Sequence, residues 1–394
     1  MVQPDFNLTY SEEFLKYSLG PSHPMNPQRL GPSISLLNYL YSDNPDFKII
    51  NPSIVDPSVI ELAHTKEYIS TLNEMSVPGF IPSHEGRLEA LTKFNLGTGD
   101  CPIFENMAQI SELIVGSTLS AAEGLMKNEF SKAFVLLAGL HHASQDRASG
   151  FCYYNDVNVT IRNLQNQNEN IKILYLDTDL HAGDGVNYEF YNDPNVLTIS
   201  FHESGEFIFP GTCFPDEIGS KEGTGYAINL PFYPYTSDDL YQKALFKYIP
   251  TFMDDFQPDI VIWQAGVDGH RDDPLGHLQL TTNSYVKFGE FVNQLSEKME
   301  TPRLLALGGG GYNPISVTRS WIFEVSGLAN KPVPTKLPNE WRKECVELWG
   351  VDFPKHLMDE PSKVSLEIGN EQKHLYDVAI ENFEKHVSPY WSIE

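Results

Sequence analysis

Short runs that are wholly apolar, or in 196–201 apolar apart from Thr198 and Ser200, punctuate the chain at 134–138, 173–176, 196–201, 260–263 and 304–307. A strand covered on both faces needs no polar alternation, so such runs predict the strands of a buried parallel sheet. Between some of them lie stretches of helical length with apolar residues at three- and four-residue spacing. In 106–127 these are Ile110, Leu113, Ile114, Ala121, Ala122, Leu125 and Met126, and 236–256 has a similar pattern. Strand alternating with helix predicts an α/β layered fold. Length alone would allow two domains, but the pattern argues for one spanning 1–394, with no internal repeat or low-complexity segment. Past residue 330 the chain turns proline-rich (KPVPTKLPNEW), and 377–386 reads as a terminal helix, so 331–394 is expected to be a tail packed on the core.

Composition narrows the function classes. At 41% hydrophobic and 12% aromatic the chain has ample material for a large core, unlike a disordered chain. Its longest apolar runs are about 8–10 residues, short of the ~20 a membrane helix needs. The start, MVQPDFNLTYSEEF, lacks a basic region followed by an apolar stretch, so no signal peptide is expected. The four cysteines, Cys101, Cys152, Cys213 and Cys345, form no C-x-x-C pair, which argues against a disulfide scaffold or a cysteine zinc site and fits a reducing cytoplasm. With 27 Lys+Arg against 53 Asp+Glu the formal charge is −26. Such a surface repels phosphate backbones, so direct nucleic-acid binding is not expected; lysine-rich peptides, polyamines and metal ions would be attracted. The same charge also serves solubility.

Glycine and proline cluster just after the strands, at 149–152, 181–185, 209–212, 265–269 and 308–312. Ligands of an open parallel sheet bind outside the carboxyl ends of its strands, so these loops predict one site. In ILYLDTDLHAGDG the apolar run ends in Asp177, Asp179 and His181, which strand alternation would turn to one face. Two carboxylates and an imidazole can hold a divalent cation, although acidic strand ends also serve as turns and helix caps. Asp268, directly after another run, is the candidate third ligand; two Asp and one His would leave positions open for water and substrate. His141 and His142 could be ligands, solvated loop residues or a general-base pair, and the base is favoured because other strands supply ligands. Asp177 and Asp184 could hold their second ring nitrogens. The glycines of LLALGGGGYNP could cradle phosphate, but no Lys-Ser/Thr follows. Alternatively they bring the backbone close to a ligand, with Tyr312 either packed or donating to a developing oxyanion.

Taken in order, GPSHPMNPQRL, GDCPIFE, GLHHASQDRASGFCYYND, LDTDLHAGDG, SFHESGEFIFPGT, AGVDGHRDDPLG and GGGGY resemble the motifs of zinc-dependent histone deacetylases. The chain looks like a class I-type member and also resembles the prokaryotic acetoin-utilization deacetylases, with motifs from about 18 to 323. The resemblance implies the arginase–deacetylase fold, an eight-stranded parallel sheet between helices. It implies zinc on Asp179, His181 and Asp268, Tyr312 polarising the substrate carbonyl, and His142 as general base and acid. His141 would be its electrostatic partner, with Asp177 behind His141 and Asp184 behind His142. Asp100 matches a rim carboxylate for the substrate backbone, Phe151 and Phe209 the walls of an acyl-lysine tunnel, Gly150 the gap beside them, and Leu275 the rim. Potassium would bind backbone oxygens of Asp177, Asp179, His181, Ser200 and Phe201, and at a second site Phe190, Asp193, Val196 and Tyr226.

Departures bear on this. Ala182 stands where the family often has a second histidine, not a ligand there. Asn26, Pro274 and Ile315 stand where co-repressor-bound members place cations for inositol phosphate, which argues against that regulator. Gly183 replaces the last Asp of the related arginases' D-x-H-x-D, which favours one metal over two. The expected reaction is zinc-dependent hydrolysis of acetyl-lysine in a protein or peptide. Deacetylation of a small acetylated amine such as an acetylpolyamine is the second reading, and a silent acyl-lysine binder the third. An Asp2His site would also accept iron(II).

Overall fold

The computed structural model describes residues 5–44, 47–50, 52, 55–333, 335–360 and 366–393. The five apolar runs all become strands: β3 (Lys132–Val135), β4 (Ile173–Asp177), β5 (Val196–Glu203), β7 (Ile260–Gln264) and β8 (Leu304–Leu307). Three more escape the apolar-run signal: β1 (Phe6–Thr9), β2 (Phe47–Ile50) and β6 (Ala227–Phe232). β1 interrupts its apolar residues with Asn7 and Thr9, which are nonetheless buried. β6 contains Asn229 and Pro231, and proline is tolerated there because β6 is an edge strand. All pairings are parallel, in the order β2-β1-β3-β8-β7-β4-β5-β6.

The run 134–138 is a boundary correction. Pairing of β3 with β8 stops at Val135 opposite Leu307, yet Leu136, Leu137 and Ala138 stay buried as they lead onward. Apolar composition reported burial there, and burial outlasts pairing. The predicted helices appear as Met107–Met126 and Asp238–Phe256. The terminal helix is Leu366–Val387, starting well before 377. Near the chain end Trp391 packs edge-on against Tyr226 and Phe252 and donates its indole N–H to Gly225 O at 2.7 Å. No helix among the described residues is long and apolar enough to cross a membrane.

Two helices, Thr282–Glu297 and Pro314–Leu328, touch backbone to backbone through glycines. A Cβ on Gly289 would lie 2.6 Å from Glu324 O, and one on Gly327 would lie 2.7 Å from Glu290 N. This closeness buries Glu324 completely, and among the described residues neither carboxylate oxygen has a hydrogen-bond partner. Burial therefore pushes its carboxyl well above the usual range. A raised folded pKa means that the folded chain keeps a proton the unfolded chain releases above about pH 4.3. Glu324 thus costs stability increasingly as pH rises. Glu324→Met is expected to raise the melting temperature more at pH 8 than at pH 6, with a gain of about 1–3 kcal/mol. Equal melting curves for the two proteins at pH 8 would disprove this.

Candidate active site

β3, β8, β7 and β4 lie side by side in that order, and each hands the chain to one of the polar loops expected to share a site. At the end of β4, Asp177 sits opposite Gln264 of β7 and Ser200 of β5. Strand alternation would point Asp177, Asp179 and His181 the same way. The structure corrects this, because the strand ends at Asp177 and the period of two ends with it. Beyond it, Asp179 N donates to Asp177 Oδ1 at 3.0 Å and His181 N to Asp179 Oδ1 at 3.1 Å. These turns send Asp177 to His141 and bring Asp179 and His181 to Asp268.

The donor atoms of Asp179, His181 and Asp268 all lie within 4.8 Å of one another, and all three residues are buried. His181 Nδ1 is 3.0 Å from Asp268 Oδ2 and 3.5 Å from Asp179 Oδ1. Backbone N–H groups hold the carboxylates: Gly310 N donates to Asp179 Oδ2 at 2.6 Å and Leu180 N to Asp268 Oδ1 at 2.8 Å. Glycine is required at this approach, since a Cβ on Gly310 would sit 2.1 Å from Asp268 Oδ2 and 2.9 Å from Asp179 Oδ2. Burial alone would lower the His181 pKa, but hydrogen bonds and charge from Asp179 and Asp268 lift it to about 10. Burial and the charge of Asp179 push Asp268 up. Two carboxylates crowded on one imidazole are a donor set that a divalent cation fits.

The histidine pair lies beside this cluster, ring centroids 4.0 Å apart. His141 Nδ1 is 2.9 Å from Asp177 Oδ2, and His142 Nδ1 is 2.7 Å from Asp184 Oδ1. Each Nδ1–H donates to its carboxylate, which in a neutral His142 leaves Nε2 as the acceptor. Their electrostatics diverge. Burial lowers both, but the charges of Asp177 and Asp179 raise His141 to about 9. His142 falls to about 4, through burial first and then the charge of His141. One ring is therefore cationic and the other neutral near pH 7.

Tyr312 follows β8, its ring edge-on to Phe151 at 5.5 Å and covered by the Arg29 guanidinium at 5.7 Å. Burial and the carboxylates Asp268 and Asp179 push its phenol well up, so it stays a donor. Phe209 packs edge-on to His142 at 4.8 Å and His181 at 6.3 Å. Phe151 and Phe209 thus sit against different parts of the site. Gly150, at φ +51°, lies against His142, where a Cβ would come within 2.4 Å of the ring. Asp100 is exposed, while Leu275 is half-buried with its N–H donating to Asp273 Oδ1 at 3.0 Å.

The residues named for potassium fall in two places. Asp177 pairs in register with Ser200, which precedes Phe201, and the latter's carbonyl accepts from Tyr241 at 2.7 Å; Asp179 and His181 follow Asp177 in the turn. Phe190 O accepts from Asp193 N at 3.0 Å, Asp193 O from Val196 N at 3.3 Å, and Tyr226 O from Thr198 N at 2.9 Å. A carbonyl has a second lone pair, so these bonds leave capacity for a cation.

Sequence reasoning missed several residues. Tyr175 donates to Asp177 Oδ2 at 2.9 Å, and its position two before Asp177 was the available signal. Gln264 bridges Gly139 O at 2.9 Å and Asp179 Oδ2 at 3.5 Å, and it ends β7 as Asp177 ends β4. Asp273 accepts the Tyr312 backbone N–H at 2.7 Å, and Arg29 donates to Gly309 O at 2.5 Å. No local pattern marks those two.

A histone deacetylase domain model matches residues 23–328, and the chain belongs to that family. It is accordingly an enzyme of the deacetylase class, with the family's arginase–deacetylase fold. The acetoin utilization protein AcuC of Bacillus subtilis (strain 168) is 36% identical over 342 residues, covering 85% of this chain and 86% of that protein. AcuC of Staphylococcus xylosus is 34% identical over 342 residues, covering 86% and 87%. A crystal structure of an HDAC homolog complexed with SAHA superposes with TM-score 0.83 at 29% identity, covering 95% of this chain and 99% of that one. An HDAC homolog from Aquifex aeolicus gives 0.80 at 28% identity, covering 94% and 100%.

Proposed function

We propose that the chain hydrolyses the amide of acetyl-lysine in a protein or peptide, with zinc held by Asp179, His181 and Asp268. The observation that carries this is the convergence of that donor set with a neutral His142 and a protonated Tyr312 beneath aromatic walls. Bound there, zinc supplies a Lewis acid that polarises the amide carbonyl. Tyr312 donates to the same carbonyl oxygen and strengthens its hydrogen bond as negative charge develops. His142 Nε2 takes a proton from the attacking water and returns it to the leaving amine, while Asp184 fixes its tautomer. His141, cationic against Asp177, adds fixed positive charge.

Phe151 and Phe209 flank the lysine stem, Gly150 leaves room for it, and Asp100 and Leu275 meet the substrate backbone. Phe209, which packs on His142 and His181, is 39% exposed, so the site is open beside it to a polypeptide, which favours acetyl-lysine over a small acetylated amine. The two backbone-oxygen clusters are the proposed potassium sites, and cytoplasmic action on basic substrates fits the charge of −26.

The test sets an acetyl-lysine peptide beside N-acetylputrescine, using protein stripped by chelator and reloaded with zinc or iron(II). Peptide turnover restored by zinc is expected. Turnover of acetylputrescine alone would move the substrate to small amines, and restoration by iron only would replace zinc.

A further inference from the structure

Residues 357–359 of the tail reach the underside of the active-site loop and meet two helices there. The Asp359 carboxylate, 6% exposed, gathers donors from three elements. His270 Nε2 lies 2.8 Å from Asp359 Oδ2, Thr282 N donates to the same oxygen at 3.0 Å, and the Arg319 guanidinium takes Oδ1. Arg319 also donates to Leu357 O at 2.7 Å, and Asp359 N donates to Thr282 Oγ1 at 2.7 Å. His270, Asp272 and Asp359 are close enough to suggest a metal. However, His270 Nδ1 accepts from Asp272 N at 3.1 Å, so its proton is on Nε2 and both nitrogens are used.

Each donor leads towards the site. His270 stacks on Tyr285 at 6.2 Å and lies two residues past Asp268. Through Nδ1 it shapes the turn at 272–273, which holds the Tyr312 segment twice: Asp273 Oδ2 accepts from Tyr312 N at 2.7 Å, and Asp272 O from Asn313 Nδ2 at 2.9 Å. Arg319 lies on the helix that Asn313 caps, directly after Tyr312. Thr282 opens the helix packed against that one. A buried ion pair is weak evidence for stability, because desolvation offsets much of its attraction, but it fixes geometry well.

We infer that Asp359 is a positioning residue: through His270 and Arg319 the tail holds the 268–273 loop and the Tyr312 segment in reactive register. This rests on the reading of Tyr312 as the carbonyl donor. Asp359→Asn keeps the shape and removes the charge that orders the three donors. Loss of register at the reacting group is then expected to lower kcat about tenfold or more, with KM within about twofold and metal content unchanged.

The deciding measurement is a double-mutant cycle with Tyr312→Phe. If Asp359 acts through Tyr312, Asp359→Asn costs less than about twofold once the phenol is gone, and Asp359→Glu recovers part of the wild-type rate. The same fold loss in both backgrounds, a kcat within twofold of wild type, or loss of metal from Asp359→Asn would each overturn the inference. Should Asp359→Asn fail to fold, His270→Gln severs one arm only and is judged by the same criteria. Wild-type turnover by Tyr312→Phe itself would instead sink the reading of Tyr312.

Discussion

Tyr312→Phe is expected to lower kcat on an acetyl-lysine peptide by about two to three orders of magnitude, with little change in KM. Removing one donor from an oxyanion site typically costs about 2.7–4 kcal/mol, because the bond strengthens as charge develops. The substitution deletes only the hydroxyl. The ring keeps its contacts with Phe151 and Arg29, and the backbone N–H keeps Asp273. The loss should therefore be chemical, with an unchanged melting temperature and unchanged metal content. Steady-state kinetics beside thermal melting decide it. A loss below tenfold would remove Tyr312 from the reaction.

Asp268→Ala is expected to abolish turnover to below about one-thousandth of wild type and to leave the purified chain short of metal. His181 would keep only one carboxylate beside it, Asp179, and two ligands hold a divalent cation poorly compared with three. Loading should also be coupled to proton release in the wild type. His181 Nδ1 stands 3.0 Å from Asp268 Oδ2, a separation that holds a proton between them, and a metal bound by both displaces it. Calorimetry of zinc binding in buffers of different ionisation enthalpy reads that proton, and elemental analysis reads the metal. Zinc retained at one per chain by Asp268→Ala would overturn this ligand set.

The fold was legible where local signals were strong. Five predominantly apolar runs marked β3, β4, β5, β7 and β8, which include the four central strands whose ends build the site. β1, β2 and β6 were not legible, because pairing with neighbours distant in sequence compensates for short length, polar residues and a proline. Asp177 was legible as a polar strand end, but its separation from Asp179 and His181 was not, since the turn forms only where the ladder stops.

The sequence by itself determined the chemistry: which acids, histidines and tyrosine follow apolar strands, and the motif order that matches a deacetylase family. Those features are local, since composition and spacing along a few residues fix strand ends and turns. Only the tertiary structure decided which groups meet. Asp268 reaches His181 from 87 positions away, Tyr312 rests on Asp273 and Arg29, and Asp359 closes on His270 from 89 positions beyond it. Such contacts have no sequence period. They arise because the strand order β3-β8-β7-β4 brings separate loops together at the carboxyl end of the sheet and burial then forces each polar group to find a partner there.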